Sequence, residues 1–302
     1  MLFPLVEEKN NNMSVSNSVS PLFSILIANY NNGCYLQDAL NSVMSQSYPN
    51  WEIIIVDDCS TDNSTDIYKE LASDSRIHVY YNDVNSGAGY TKRRCAEEAH
   101  GEICGFVDPD DMLAVDDAIS VMVQAHRENP DVSMVYSGYY AINEGREVIR
   151  EVSGAELNGC SALETLSWPF RHFVTFKKAF YDRTSGVDPF MKRAVDYDMY
   201  YKLEEVGRVM HLDRILYYYR HNSNSISLNE GEYKSRVWHA YTCVEAMKRR
   251  GLTDERLMLF PIEDALKREF AKGVIHAKQS KTYQVGQFLT KPLLLLKKLF
   301  GG

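Results

Sequence analysis

The chain has 302 residues, of which 45% are hydrophobic, and its formal net charge at pH 7 is −8. This length allows one large α/β domain or two smaller ones. The acidic balance argues against general nucleic-acid binding, which needs an excess of Lys and Arg. The chain contains no apolar run of about 18 residues or more, so the sequence predicts no membrane-spanning helix.

The N-terminal segment and the cysteines indicate in which compartment the protein is expected. Residues 1–20 are polar and rich in Asn and Ser, which predicts a disordered leader. The first ten residues contain two acids and no basic segment, so they do not resemble a signal peptide. The six cysteines show no CxxC or other metal-ligand spacing. Reduced thiols in a cytoplasmic protein are the simplest interpretation.

Strands and helices alternate through the first half of the chain. Apolar runs predict four strands, at 23–28, 51–56, 77–81 and 103–107. Amphipathic patterns between these runs predict helices. This alternation predicts right-handed parallel crossovers and therefore a Rossmann-like half. Further along, a helix is predicted at 112–128, a strand at 132–140 with a hairpin near 143–145, and closing strands at 209–212 and 215–220.

The fourth strand ends in three carboxylates within four residues, in the turn Asp108-Pro109-Asp110-Asp111. Ligands of open α/β sheets bind outside the carboxyl ends of the strands, and Pro109 prevents continuation of the strand. Closely packed carboxylates repel each other unless a cation lies among them, and oxygen ligands suit Mg²⁺ or Mn²⁺. On these residues alone, a solvated acidic turn that caps the next helix is an equally good interpretation.

Three other polar turns follow predicted strands, at 29–33, 57–64 and 85–89. The last of them lacks the GxGxxG order, and no P-loop occurs in the chain. An NAD or ATP site therefore has no support.

Taken in order, these motifs resemble those of glycosyltransferase family 2, which contains inverting sugar transferases with the GT-A fold. The motifs lie at residues 28–31, 55–62, 85–87 and 106–111. The resemblance covers residues 21–228 and implies an α/β/α Rossmann-like sandwich with a mixed central sheet. We expect a nucleotide-sugar-binding half at 21–112, an acceptor-binding half of the same domain at 113–228, and a helical C-terminal extension at 229–302.

The resemblance implies a nucleotide-diphosphate-sugar donor, with uridine as the expected base. In that scheme Ala28 and Tyr30 line the base and ribose pocket, and Asp58 hydrogen-bonds the base. Asp108 contacts the ribose side. Asp110 coordinates a divalent metal, Mn²⁺ or Mg²⁺, that bridges the two phosphates. The chemistry independently suits a metal, because a diphosphate leaving group gains negative charge as its bond to the sugar breaks.

Lys92 is a candidate phosphate ligand, although the sequence departs from the family pattern here. The family usually carries Ala-Arg-Asn after the Asn-x-Gly turn, where this chain has Thr91, Lys92 and Arg93. Lys92 could still bind the phosphates as a point charge, without bidentate geometry. The alternative is a solvated helix face, and for Arg94 we favour that alternative.

A second family signature, Glu-Asp-x-Asp at the start of a helix, is matched by Val195, Asp196, Tyr197 and Asp198. The resemblance makes Asp196 the general base that takes the proton of the acceptor hydroxyl. In-line displacement at the anomeric carbon also needs a carboxylate on the face opposite the leaving group. The alternative is that both acids stabilise a helix N-terminus through its dipole, and for Asp198 we favour that role.

The stretch after the last predicted strand resembles the family's Tyr-Arg-x-His ending. Strict alignment places Asn222 at the family's His. His221 is nevertheless the predicted third metal or phosphate contact, through a one-residue shift of the loop. A surface-loop histidine is the alternative.

The leading functional hypothesis is a metal-dependent hexosyltransferase of surface polysaccharide or glycan synthesis. Its acceptor would be a hydroxyl of a saccharide or lipid-linked saccharide. A nucleotidyltransferase is a second hypothesis, which the absence of Lys and Arg from the turn 29–33 disfavours. A non-catalytic nucleotide-sugar-binding protein is a third.

The tail at 289–300 has an apolar block flanked by lysines. It is too short to span a bilayer, but it could lie in a membrane interface or pack on the protein. We therefore expect a cytoplasmic protein with possible peripheral contact at the inner membrane face.

Overall fold

The structure is a computed structural model that describes residues 20–165, 170–222 and 230–252. The predicted leader, apart from Ser20, and the apolar tail at 289–300 lie outside these ranges.

Four parallel strands form the N-terminal half of the sheet, as the sequence predicts. They are β1 (Phe23–Asn29), β2 (Trp51–Asp57), β3 (Ile77–Tyr81) and β4 (Ile103–Phe106). Their order is β3-β2-β1-β4, and every neighbouring pair is parallel. The connecting helices are α1 (Gly33–Met44), α2 (Ser64–Leu71) and α3 (Ala88–Glu98). The predicted Rossmann-like half is confirmed, and its strands end at one edge of the sheet.

The C-terminal half makes the sheet mixed. Its strands are β5 (Met112–Leu113), β6 (Val132–Ile142), β7 (Val148–Val152), β8 (Val174–Lys177) and β9 (Arg208–Arg220). Strand β8 is antiparallel to both β4 and β6, whereas β6 and β9 are parallel. Within the described ranges the sheet has nine strands, in the order β3-β2-β1-β4-β8-β6-β9-β5, with β7 paired to β6. The helices of this half are α4 (Ala118–Glu128), α5 (Ala162–Thr165), α6 (Lys178–Tyr181), α7 (Val195–Glu204) and α8 (Glu230–Arg249).

Two element boundaries differ from the predictions. The helix expected from Met112 begins at Ala118, because Met112 and Leu113 pair with β9 as a short strand. The two closing strands expected at 209–212 and 215–220 form the single strand β9, whose register against β6 shifts along its length. The predicted hairpin near 143–145 is confirmed and joins β6 to β7.

The sheet buries one hydrophobic core on each face, which confirms the predicted α/β/α sandwich. Ile25 and Ile53 pack with α1, α2 and α4 on one face. Leu26 and Ile54, the next residues along β1 and β2, pack with α3, α7 and α8 on the other. This alternation follows from the two-residue period of a strand.

Helix α8 lies in the predicted C-terminal extension and packs on α7, where the Tyr201 hydroxyl lies 3.1 Å from Nε2 of His239. Among the helices of the described residues, none combines the length and apolarity that a bilayer crossing requires.

Candidate active site

The ends of β1 and β2 are tied together by a buried polar network. The Asn29 side-chain amide donates to Asp57 Oδ2 at 3.2 Å and to the Tyr68 hydroxyl at 2.8 Å. The Tyr68 hydroxyl in turn donates to Asp57 Oδ2 at 2.7 Å. Asn29 and Asp57 therefore join the two strand ends to helix α2. They lie at the carboxyl edge of the sheet, where ligands of open α/β sheets bind.

Ala28 and Tyr30, predicted to line a nucleotide pocket, lie at the end of β1. Ala28 is half-buried and packs against one of the two cores. Tyr30 follows the strand, and 46% of its surface is exposed. The Tyr30 ring is therefore accessible to a ligand at this edge of the sheet.

Asp58 is buried and holds the turn that precedes α3. Its Oδ1 accepts hydrogen bonds from the Asn82 side-chain amide and from the Ser86 backbone N–H, both at 2.8 Å. Its Oδ2 accepts from the Gly87 N–H at 2.8 Å. A carboxylate oxygen has two lone pairs, so Oδ2 retains one of them for a further donor. The predicted bond from Asp58 to a base stays a prediction.

Lys92 contacts two candidate residues, which lie 16 and 104 positions after it in the sequence. Its Nζ lies 3.0 Å from Asp108 Oδ1 and 2.7 Å from Asp196 Oδ1. Burial alone would lower the pKa of Lys92, but the charges of Asp108 and Asp196 outweigh it and raise the pKa above its ordinary value. The structure thus brings the predicted phosphate ligand, the acidic turn and the predicted base into one ion-pair cluster.

The three acids of the turn 108–111 have different environments. For Asp108, the charges of Lys92 and His172 overcome the effect of burial and lower the pKa. For Asp110, burial and the charge of Asp108 raise the pKa to about 6. For Asp111, burial and the charges of Asp110 and Asp108 raise the pKa well above its usual range. Asp111 Oδ1 accepts a hydrogen bond from the backbone N–H of Arg220 at 2.7 Å, so it anchors β9 rather than a helix.

Arg220 holds the acidic turn in place, a role that the sequence reasoning missed. Its side chain is buried, and its Nε donates to the backbone carbonyl of Asp110 at 2.8 Å. The guanidinium also pairs with Asp38 at 3.1 Å and lies 4.8 Å from the centre of the Tyr35 ring. Such a planar five-donor group can bridge several elements at once. The available sequence signal was its position as the arginine of the stretch that resembles the family's Tyr-Arg-x-His ending.

Asn222, rather than its neighbour His221, lies against Asp110. The Asn222 side-chain amide donates to Asp110 Oδ2 at 2.7 Å. The His221 ring packs edge-on against Tyr219, with ring centroids 5.5 Å apart, and burial lowers its pKa. The geometry therefore follows the strict alignment without the one-residue shift. A metal contact through His221 stays a prediction, and Asn222 is the better-placed residue.

The chemistry of the turn fits a divalent cation. Burial and the negative charge of Asp108 both disfavour ionisation of Asp110, and a cation would relieve this. In the parts of the chain that the structure describes, no group of three or more His, Cys, Asp or Glu side chains could hold a metal. The Asp110 carboxylate is an oxygen ligand of the kind that Mg²⁺ and Mn²⁺ prefer, and phosphate and water would complete the coordination.

Asp196 and Asp198, both in the first turn of α7, differ in burial and in their ion-pair partners. Asp196 pairs with Lys92, and 27% of its side-chain surface remains exposed. Asp198 is buried and pairs with Lys202 at 2.5 Å, and Lys202 also donates to the Gly186 carbonyl at 2.8 Å. Asp198 therefore ties α7 to the preceding loop. Val195, which replaces the family's Glu, is buried in the core.

Arg94 does not lie on a solvated helix face, so that prediction is wrong. Its NH1 donates to the Tyr81 carbonyl at 2.6 Å and to the side-chain oxygen of Asn82 at 2.7 Å. The reason is that the Arg94 side chain reaches the end of β3, where it supplies a donor to the backbone carbonyl of Tyr81.

His172 is a second residue of the candidate site that the sequence reasoning did not assign. Its ring stacks on Tyr217, with centroids 5.2 Å apart, and the Tyr217 hydroxyl accepts a hydrogen bond from the Asp108 N–H at 3.1 Å. Burial lowers the pKa of His172, although the charges of Asp108 and Asp196 oppose this effect. No local motif marked this residue.

Comparison with known proteins agrees with this geometry. The family model described as Glycosyl transferase family 2 matches residues 24–194, more than half of the chain. The putative teichuronic acid biosynthesis glycosyltransferase TuaG of Bacillus subtilis is 46% identical over 92 residues, which cover 30% of this chain and 36% of TuaG. The chain thus spans about a third of the length of that relative.

Two solved structures share the fold. S. aureus TarS in complex with UDP-GlcNAc has a TM-score of 0.63 at 22% identity, covering 87% of this chain and 77% of TarS. The mannosyltransferase PcManGT from Pyrobaculum calidifontis, in complex with GDP-Man and Mn²⁺, has a TM-score of 0.58 at 16% identity. The match covers 92% of this chain and 81% of PcManGT. These similarities confirm the predicted GT-A fold.

Proposed function

The chain belongs to glycosyltransferase family 2, and we propose that it transfers a sugar from a nucleotide diphosphate to a saccharide hydroxyl, with inversion at the anomeric carbon. A UDP-sugar is the proposed donor, and polysaccharide or glycan synthesis is the proposed context. TarS was solved with UDP-GlcNAc, which supports a UDP-sugar as the donor. TuaG is named for teichuronic acid biosynthesis, which supports polysaccharide synthesis as the context. The main structural support is the ion-pair cluster of Lys92, Asp108 and Asp196.

Asp196 is the proposed general base. Among the described residues, Lys92 is its hydrogen-bond donor and engages Oδ1, which leaves Oδ2 for an acceptor hydroxyl. The hydrogen bond from Lys92 holds the Asp196 carboxylate in a fixed position, and a general base must be placed within reach of the proton that it takes. Lys92 also spaces the base from the acidic turn, so that the acceptor and the leaving group can occupy opposite sides of the sugar.

The donor side is proposed to use the residues of β1, β2 and the acidic turn. Tyr30 and Ala28 would line the base and ribose, with Asp58 and Asp108 as polar contacts. Asp110 and the adjacent Asn222, with His221 as the alternative, would hold Mn²⁺ or Mg²⁺. The metal would supply Lewis-acid stabilisation of the diphosphate leaving group.

The acceptor is proposed to be a saccharide or a lipid-linked saccharide. The segment 289–300, outside the described residues, is the proposed membrane contact, because lysines flank its apolar block. This contact would place the reaction at the cytoplasmic face of a membrane.

The test is a panel of UDP- and GDP-sugars, measured for metal-dependent thermal shift and for release of nucleoside diphosphate, with Mn²⁺ present or absent. We expect Asp196→Asn to lower kcat by about 100-fold or more while donor affinity stays near that of the wild type. Asp110→Asn should abolish the Mn²⁺ dependence of donor binding. Asp213→Asn, at an exposed position of β9, is the matched control.

Three outcomes would contradict parts of the proposal. Near-normal turnover by Asp196→Asn would remove Asp196 as the base. Release of pyrophosphate instead of a nucleoside diphosphate would indicate a nucleotidyltransferase. Metal-dependent donor binding without hydrolysis or transfer would indicate a non-catalytic binding protein.

A further inference from the structure

Three half-buried aromatic side chains form a surface that the proposed catalytic roles do not use. We call Tyr139, His172 and Tyr219 the aromatic platform. His172 and Tyr219 stack almost parallel, with ring centroids 5.3 Å apart and an angle of 5°. Tyr139 lies edge-on to both, at 5.9 Å from His172 and 5.5 Å from Tyr219. Each of the three side chains keeps part of its surface exposed.

The platform is held rigidly from below. The buried Ser137 hydroxyl lies 3.1 Å from the His172 carbonyl and accepts a hydrogen bond from the Phe173 N–H at 2.8 Å. The His172 ring also stacks on the buried Tyr217 ring. A surface fixed in this way loses little conformational entropy when a ligand binds.

The platform is continuous with the proposed reaction centre. Tyr217, which supports His172, accepts a hydrogen bond from the Asp108 N–H at 3.1 Å. Tyr139 and Tyr219 belong to the adjacent strands β6 and β9, and His172 comes just before β8. A ligand on the platform would therefore approach the acids from the C-terminal half of the sheet.

The position of the platform separates it from the nucleotide side. In the strand order β2-β1-β4-β8-β6-β9, three strand spacings separate β1, which carries Ala28, from β6. At about 4.8 Å per spacing this is roughly 14 Å. The platform and the predicted base pocket therefore lie on opposite sides of the acidic turn, and a nucleobase bound at Tyr30 leaves the platform free.

We propose that the aromatic platform is an acceptor subsite that binds a pyranose ring by stacking. This inference rests on the proposed function and deepens it, because it names the side chains that bind the acceptor saccharide. The C–H groups on one face of a pyranose are apolar and pack on an aromatic ring, while tyrosine hydroxyls and imidazole nitrogens can bond the sugar hydroxyls. Stacking positions the ring, and the adjacent Asp196 receives the proton of the attacking hydroxyl.

The same two strands provide a matched control. Successive side chains of a strand point to opposite faces. Tyr140 and Tyr218 form a second half-buried tyrosine pair, with centroids 5.8 Å apart, at the positions that alternate with Tyr139 and Tyr219. Tyr218→Leu thus removes an equivalent ring from the other face.

The experiment measures nucleoside diphosphate release with a panel of p-nitrophenyl glycosides of glucose, galactose, N-acetylglucosamine and glucuronic acid as acceptors. We expect Tyr219→Leu to raise the KM for the accepted glycoside by about 3- to 10-fold. The donor KM and the slow donor hydrolysis without acceptor should not change. Tyr219→Phe keeps the aromatic ring and should recover most of the wild-type affinity for the acceptor, and Tyr218→Leu should leave the acceptor KM unchanged. If Tyr219→Leu does not fold, Tyr139→Leu replaces it.

Failure of the inference differs from failure of the proposed function. If the wild type turns over no nucleotide sugar, the proposed function fails and the inference falls with it. If the donor is hydrolysed but no glycoside is used, or if Tyr219→Leu leaves the acceptor KM unchanged, only the inference is overturned. An equal KM rise in Tyr218→Leu would also overturn it.

Discussion

Replacing Lys92 by Met should destabilise the fold far more than loss of a surface ion pair does. The Lys92 side chain is 10% exposed, and its partners Asp108 and Asp196 are 31% and 27% exposed. Removing the one cation from a buried pair leaves uncompensated charge and costs about 3–5 kcal/mol. Because both carboxylates remain partly exposed to solvent, we expect a loss of unfolding free energy at the lower limit of this range, about 3 kcal/mol. For a domain of this size, that loss lowers Tm by roughly 6–12 °C.

The assay is urea unfolding followed by circular dichroism, without added metal or nucleotide, since ligand binding would stabilise the folded state. Lys69→Met is the control, because Lys69 pairs with Asp66 at 2.8 Å but the two side chains are 75% and 71% exposed. This variant should unfold like the wild type. Lys92→Arg keeps the charge and should recover part of the stability. A Lys92→Met protein within about 1 kcal/mol of the wild type would refute the reasoning that a buried cation neutralises both acids.

Three further predictions concern other parts of the molecule. Burial lowers the pKa of His126 to about 3, so only the unfolded chain binds its proton between that value and about pH 6.5. The free energy of unfolding, measured by urea titration, should therefore fall by about 2 kcal/mol from pH 6.5 to pH 5. In His126→Gln the fall over the same pH range should be smaller. A Cβ at position 105 would lie 2.8 Å from the Phe173 ring, so Gly105→Ala should cost about 1–3 kcal/mol of unfolding free energy. Asn222→Ala should weaken Mn²⁺ binding to the nucleotide complex by about 10-fold in calorimetry, and His221→Ala should weaken it less; the reverse order would restore His221 as the contact.

The parts of the fold that depend on local pattern were predictable. Four apolar runs separated by amphipathic helices specify a parallel half-sheet, because each element buries its apolar face only in that arrangement. The turn 108–111 was also predictable, since acids after a buried strand end at the ligand edge of the sheet. By contrast, the short strand at Met112 was assigned to a helix. Two residues are too few to show the hydrophobic periodicity of a strand or a helix, and only the pairing with β9 determines that they form a strand.

The parts of the site that depend on long-range pairing were not predictable. Lys92 and Asp196 are 104 residues apart, and no periodic pattern links a residue of α3 to the first turn of α7. The choice between His221 and Asn222 depends on a single step of the chain, which reverses the direction of a side chain. The aromatic platform joins β6, β9 and the residue before β8, so it exists only once the mixed sheet has formed.

The acids near the proposed reaction centre differ in the kind of hydrogen-bond donor that contacts them in the folded protein. Asp198 is committed to the fold because it pairs with the buried Lys202. Asp58 is held in place by backbone N–H groups, which leave one lone pair of Oδ2 for a ligand. Asp108, Asp110 and Asp196 are bonded instead through the flexible side chains of Lys92 and Asn222, which a ligand can displace. Displacing the backbone donors of Asp58 would require the turn before α3 to move, whereas moving Lys92 requires only rotation of its side chain. The residues that remain adjustable in the folded protein are therefore the ones with the strongest claim to the chemistry, and they are the residues to substitute first.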